Sequence, residues 1–222
     1  MTAVLGHLEL LAEDPSIPEH ARSRIHTVER NALRLRQLVC DLLEVASVRD
    51  GGIQLELASA DLAEIVTDAV EAARPTAEAA GLTVTLDLPG SLVTTIDAGR
   101  MRQVVDNLVF NAIKYSEVGG AVVVTLGVTG DTLELTVRDS GLGIAPDDLD
   151  RLFTRFFRGQ AARDRHSQGT GLGLSIVRFI VEAHGGTVSL GSEVGTGSVV
   201  GVVVPLEVPP GGAQPVSQSS TS

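Results

Sequence analysis

Asn107, Asn111 and Lys114 recur at steps of four and three along one stretch of chain. Two glycine-bearing loops come after it, Asp139-Ser-Gly-Leu-Gly-Ile144 and Gly169-Thr-Gly-Leu-Gly-Leu174. On a helix, positions three and four apart project from neighbouring points of one side, so the two amides and the ammonium can converge on one ligand. Magnesium takes oxygen ligands and keeps several waters and phosphate oxygens. One amide carbonyl, from Asn111, therefore suits a phosphate-bridged ion, and Lys114 can neutralise phosphate charge. The same three residues also suit a solvated helix face; the loops downstream favour the ligand.

Asp139 ends a predicted strand. An ionised aspartate accepts from the exocyclic amine of adenine, whereas guanine would turn a carbonyl oxygen towards it and leave a buried charge unpaired. Gly141 and Gly143 permit the close approach that a side chain would block. Gly169, Gly171 and Gly173 lead into a helix beginning near Leu172, where backbone N–H groups and the positive end of the helix dipole can face phosphates. Each loop alone also reads as a tight turn; their order and shared chemistry point to an ATP site. Neither is a Walker A sequence, since no Lys-Ser or Lys-Thr comes next. Neither has the strand-loop-helix setting of a dinucleotide fingerprint. Between them, residues 152–158 are apolar and basic and residues 159–168 are polar, as in a mobile lid hinged on a hydrophobic clip.

The elements that must position these groups can be read from periodicity. Strands are predicted over 53–57, 82–88, 93–96, 122–128, 133–138, 187–190 and 198–205, and helices over 62–80, 98–115 and 172–184. Gly130-Asp131 between two strands is a hairpin turn. Strands and helices do not alternate strictly, which predicts an α+β fold, a two-layer α/β sandwich with a mixed sheet covered by helices on one face. Upstream, residues 19–49 carry Ile25, Val28, Ala32, Leu35, Val39, Leu42 and Ala46 at alternating steps of three and four, a seam for helix pairing and for a homodimer. An ordinary hairpin packed on its own domain fits that pattern too. Val4, Leu8 and Leu11 end a preceding helix, and residues 14–18 turn the chain. The composition shift at Arg49-Asp-Gly-Gly52 divides a partial helical hairpin, 1–50, from a second domain, 51–207. Residues 208–222 read as a disordered tail.

With 222 residues, 43% of them hydrophobic, the chain can fill a sizeable core. A formal net charge of −11 argues against nucleic acid as a partner. The single cysteine, Cys40, excludes an intrachain disulfide and any multi-cysteine metal site. No apolar run reaches the roughly 18 to 20 residues that cross a bilayer, so a soluble, cytoplasmic chain is expected, with any membrane anchor in other segments of a longer parent.

Taken together, these segments resemble the sensor histidine kinases of two-component systems over nearly the whole chain except its tail. Asn107-Leu-Val-Phe-Asn-Ala-Ile-Lys-Tyr115 resembles the family's N box, 139–144 its first glycine box, 153–157 its F box and 169–174 its second glycine box. The resemblance implies the catalytic ATP-binding sandwich shared with gyrase, the Hsp90 chaperone and MutL, with ATP and Mg2+ as cofactors. It implies that Asn111 holds magnesium and Asp139 the adenine amine, with Asn107, Lys114 and Arg158 at the transfer step. Lys114, Tyr115, Arg158 and the second glycine loop would handle phosphates and lid. Gly141, Gly143, Ile144, Phe156, Gly169, Thr170, Gly171, Leu172, Gly173 and Leu174 complete the expected nucleotide contacts.

The family passes the γ-phosphoryl of ATP to a histidine and then to an aspartate on a response-regulator receiver domain. Thr2-Ala-Val-Leu-Gly6 resembles the segment just after the phosphoacceptor motif His-Glu-Leu-Arg-Thr-Pro, but that motif is absent. His7, His20, His26, His166 and His184 lack its context, and no self-phosphorylation is expected of this chain. Gly195-Thr-Gly-Ser-Val-Val200 keeps the glycines of the family's closing turn with valine in place of the usual aromatic. Where related ATPases carry a glutamate, Asn107 is an amide that cannot act as a general base, so slow hydrolysis is expected. Two other readings compete: a protein-serine kinase of the same superfamily, and a nucleotide-dependent signalling module without kinase activity.

Overall fold

In a computed structural model, the chain divides into two compact units, Met1–Asp50 and Gly51–Ser222. The structure describes residues 54–159 and 170–206, together with residues 17, 18, 21, 25 and 28. The predicted hairpin seam beyond Val28, the tail beyond residue 206, Cys40 and most of the expected lid lie outside the described residues.

Within the second unit the order is β1 (Ala58–Asp61), α1 (Leu62–Ala79), β2 (Thr83–Asp87), β3 (Val93–Ile96), α2 (Ala98–Tyr115), β4 (Ala121–Thr129), β5 (Thr132–Asp139), α3 (Pro146–Leu149), α4 (Gly173–Ala183), β6 (Thr187–Glu193) and β7 (Gly197–Pro205). The main sheet runs β2-β4-β5-β7-β6. Its β2–β4 pair is parallel and the other three are antiparallel, so the sheet is mixed, as expected. Thr129 pairs with Thr132 across the Gly130-Asp131 turn, and Gly130 takes the positive φ that such a turn needs.

The period of two sets the core. Val122, Val124 and Leu126 of β4, Leu133, Leu135 and Val137 of β5, and Val202 and Val204 of β7 are buried on one face. Against them α1 buries Leu62, Val66 and Val70, α2 buries Met101, Val104, Val105 and Leu108, and α4 buries Ile176, Val177 and Ile180. Polar residues with β-region backbone start two of these helices. Asp61 accepts from the Ala63 N–H at 3.0 Å and Asp97 accepts from the Arg100 N–H at 3.0 Å.

One expected strand moves. Residues 54–57, predicted as strand, are not one, and the strand forms at Ala58–Asp61, antiparallel to β3. Asp97 explains the shift: its carboxylate takes the Glu56 N–H at 2.9 Å, which withdraws that group from any ladder. The alanines and serine of Ala58–Asp61 have low strand propensity, so only the tertiary pairing with Val93–Ile96 marks them as a strand.

His184 closes α4 fully buried. Its Nε2 accepts from the Asp97 N–H at 3.2 Å, so the ring proton sits on Nδ1, which donates to the Ile180 carbonyl at 2.8 Å. Both nitrogens are engaged, which leaves no nucleophile for phosphate, in line with its exclusion as acceptor. Burial pushes its pKa below the ordinary 6.5, against the opposing effects of the Ile180 carbonyl and the Asp97 charge. The unfolded chain then binds a proton that the folded chain refuses, so His184 should subtract stability as pH falls below about 6.5. Urea unfolding at pH 7.5 and 5.5 should show this loss, and His184→Gln should shrink the difference. His184→Ala, which opens a cavity and orphans the Asp97 N–H, should cost about 2–4 kcal/mol at pH 7.5.

Candidate functional site

The inner face of the sheet is apolar until its last row. There Asp139 of β5 stands opposite Ser198 of β7, and Ser198 stands opposite Ser192 of β6, so the three side chains share one face. Asp139 Oδ1 accepts from the Gly141 N–H at 2.9 Å and from the Ser198 N–H at 3.2 Å. No described residue donates to Oδ2. Burial raises the Asp139 pKa from the ordinary carboxylate value, and the two backbone N–H groups only partly oppose that. A half-buried carboxylate with one saturated oxygen and one available oxygen suits a ligand amine.

The first glycine loop is fastened on both sides. Leu142 N–H donates to the Tyr115 carbonyl at 3.2 Å, at the end of α2, and Gly195 N–H donates to the Leu142 carbonyl at 2.8 Å. A side chain at Gly141 would run into the Tyr115 carbonyl, and one at Gly143, where φ is +64°, into the backbone of Glu193. Ile144 N–H donates to Ser192 Oγ at 2.9 Å. Asp139, Gly141, Gly143 and Ile144 are thus brought together beside the main-chain carbonyl of Tyr115.

α2 meets the second loop at Gly173. A methyl group there would come within 2.8 Å of Asn107 Oδ1 and 3.8 Å of Asn111 Nδ2, so the start of α4 lies against both amides. Asn107 spends its Nδ2 on the Gln103 carbonyl at 2.9 Å, which leaves Oδ1 turned to α4. α4 has no side-chain cap, so its first N–H groups are available to an anion. Thr170 Oγ1 accepts from the Leu172 N–H at 3.1 Å and Leu172 is buried, which anchors the approach to the helix. Leu174 is half-buried in the first turn of α4. Lys114 Nζ donates to the Tyr115 hydroxyl at 3.0 Å.

The segment ending in Arg158 packs on Gly171, whose carbonyl accepts from the Phe156 N–H at 3.0 Å. Arg151 and Arg155 lie over the rings of Phe157 and Phe179, at 4.4 and 4.9 Å from their centroids. Phe156 itself is 61% exposed, with φ at +61°; its ring, expected among the nucleotide contacts, faces solvent. Gly169 lies outside the described residues. Ser192 and Ser198 are not among the residues that the sequence singles out. The readable signal is the alternation Val188, Leu190, Ser192 and Val204, Val202, Val200, Ser198, in which an apolar inner face ends in a hydroxyl on both strands.

Among the described residues, no group of three or more His, Cys, Asp or Glu is placed to hold a metal ion. A cation here would take an amide oxygen and phosphate oxygens, which suits the donor set at Asn107 and Asn111. The carboxylate, the two amides and the uncapped helix start together fit an adenine nucleotide.

Comparison with known proteins gives the same picture. The profile of the family described as histidine kinase-, DNA gyrase B-, and HSP90-like ATPase matches residues 96–208. The sensor-like histidine kinase SenX3 of Mycobacterium tuberculosis is 35% identical over 203 residues, covering 91% of this chain and 49% of that protein. Full-length ShkA, solved in complex with AMPPNP, superposes with a TM-score of 0.74 at 30% identity, covering 93% of this chain and 44% of that one. The histidine kinase AdeS of Acinetobacter baumannii gives 0.68 at 26% identity over 92% of this chain and 94% of that one. The chain spans about half the length of the curated relatives it matches.

Because the fold holds the Asp139 carboxyl above its ordinary pKa, the ionised form is disfavoured at neutral pH relative to the unfolded chain. Asparagine at this position can still accept from the Gly141 and Ser198 N–H groups. Asp139→Asn, free of nucleotide, should therefore unfold at equal or higher denaturant concentration than the parent at pH 7. Its advantage should shrink as pH falls below the raised carboxyl pKa and vanish below the ordinary value of 3.8.

Proposed function

As the chain belongs to the histidine kinase-, DNA gyrase B- and HSP90-like ATPase family and carries the ATP-binding catalytic domain of sensor histidine kinases, we propose that it is a protein-histidine kinase portion. It would transfer the γ-phosphoryl of Mg-ATP to a histidine on an acceptor helix, for passage to an aspartate of a response-regulator receiver domain. The observation that carries this reading is the Asp139 carboxylate beside the first glycine loop, one oxygen saturated by two backbone N–H groups and the other without a donor among the described residues. Mg-ATP, when bound, supplies the transferable phosphoryl group.

Asp139 would read the base, since an acceptor oxygen rewards an exocyclic amine and penalises a carbonyl. The uncapped N–H groups of α4 would face phosphate oxygens, with Thr170, Gly171, Leu172, Gly173 and Leu174 shaping the approach. Asn111 would offer its amide oxygen to magnesium. Lys114, held by Tyr115, would place positive charge beside the phosphates, and Arg158 would add charge from the far side. Asn107 can hydrogen-bond but cannot take a proton from water, so hydrolysis without an acceptor should be slow. Catalysis then rests on positioning and charge neutralisation. Among the described residues no helix is long and apolar enough to cross a membrane.

Calorimetric titration should show binding of Mg-ADP, weak or no binding of Mg-GDP, and loss of Mg-ADP binding in Asp139→Asn. Incubation with γ-labelled ATP and a separate helical hairpin bearing an acceptor histidine should give acid-labile label on the hairpin. Asn111→Ala should lower that transfer by about 100-fold or more. Acid-stable label on a partner serine would favour a serine kinase, and ADP binding without transfer a signalling module.

A further inference from the structure

Proton accounting in the last row of the sheet's inner face singles out a residue that the nucleotide-site reading leaves unassigned. The Ser192 hydroxyl makes three contacts. It donates to the Gly197 carbonyl at 2.8 Å, accepts from the Ile144 N–H at 2.9 Å and lies 2.9 Å from Ser198 Oγ. A hydroxyl carries one proton and two lone pairs. Ser192 has spent its proton on Gly197, so Ser198 must be the donor between the two serines. Strand order is β5-β7-β6, and Ser198 on β7 has Asp139 on one side and Ser192 on the other. Its proton therefore points towards β6, away from Asp139, while its backbone N–H holds Asp139 Oδ1 at 3.2 Å.

We propose that Ser192 is a positioning residue for the nucleobase. Its hydroxyl pins the end of the first glycine loop at Ile144 and turns the Ser198 proton away from Asp139, so that this row presents acceptors alone to an exocyclic amine. This rests on the reading of Asp139 as base reader. Without the Ser192 hydroxyl, the Ser198 hydroxyl rotates and can donate to a carbonyl, which relaxes discrimination against bases that carry one. Ile144 also loses the partner of its N–H.

The test compares Mg-ADP with Mg-inosine diphosphate, in which a carbonyl replaces the exocyclic amine, by calorimetry on the parent, Ser192→Ala, Ser192→Thr and Asp139→Asn. The parent should prefer ADP strongly. Ser192→Ala should cut that preference by about tenfold, and Ser192→Thr, which keeps the hydroxyl, should retain it. In nucleotide-free protein the Ile144 amide should exchange with deuterium faster in Ser192→Ala than in the parent. Should the alanine variant not fold, Ser192→Cys keeps the volume with a poor hydrogen-bonding atom and should show the same loss. Equal weakening of both nucleotides, or an unchanged preference, would overturn the role of Ser192 while leaving the site intact. A parent that binds neither nucleotide, or an Asp139→Asn that keeps the ADP preference, would overturn the base-pocket reading and this proposal with it.

Discussion

One carboxylate, drawn half out of water and held by two backbone N–H groups, sets the terms for the rest of this domain. Burying Asp139 costs solvation, and the Gly141 and Ser198 N–H groups return only part of it. Those two donors come from a loop and a strand that must each be fixed. The loop is fixed by the end of α2 through Tyr115 and by the β6–β7 turn through Gly195. The strand is fixed by its register against β5. An uncomfortable charge is thereby kept aimed and available, which suits the base-reading role proposed for it.

The two helices that bring the remaining polar groups are tied at both ends. At one end Gly173 lets α4 lie against Asn107 and Asn111; at the other, His184 takes the N–H of Asp97, the residue that caps α2. α2 and α4 therefore run in opposite senses along each other. The same Asp97 carboxylate receives Glu56 N–H, so the approach to β1 is fastened where the two helices are fastened. The placement of the uncapped start of α4 is in this way tied to a hydrogen-bonded corner about three helical turns away.

Much of this architecture is legible in the residues. The helix Ala98–Tyr115 carries an apolar stripe from Met101 to Ala112 behind an aspartate cap, and its polar side names Asn107, Asn111 and Lys114. Asp139 is readable as a strand end because Leu133, Leu135 and Val137 alternate up to it. Three features are not legible in this way. β1 has no strand-forming side chains, and its existence depends on β3 arriving opposite it. Phe156 is exposed and takes a positive φ, a backbone choice that an aromatic residue does not announce. Ser192 and Ser198 act through which strands stand side by side, and the second anchors Asp139 with a main-chain N–H that no residue type reveals.

The register between β5 and β7 carries one further implication. β4–β5 and β6–β7 are hairpins that a chain can close locally, whereas Asp139 and Ser198 are 59 residues apart and meet only when those hairpins dock. A chain still being synthesised has the N box and the first two glycine boxes in hand by Leu174, yet the pocket proposed for the base lacks a wall until β7 has been made and seated. Joining distant strands is the slow part of building a sheet. On the proposed reading, competence to hold nucleotide is thus acquired late, and loss of the last strand would disable a chain whose N box, F box and first two glycine boxes are all still present.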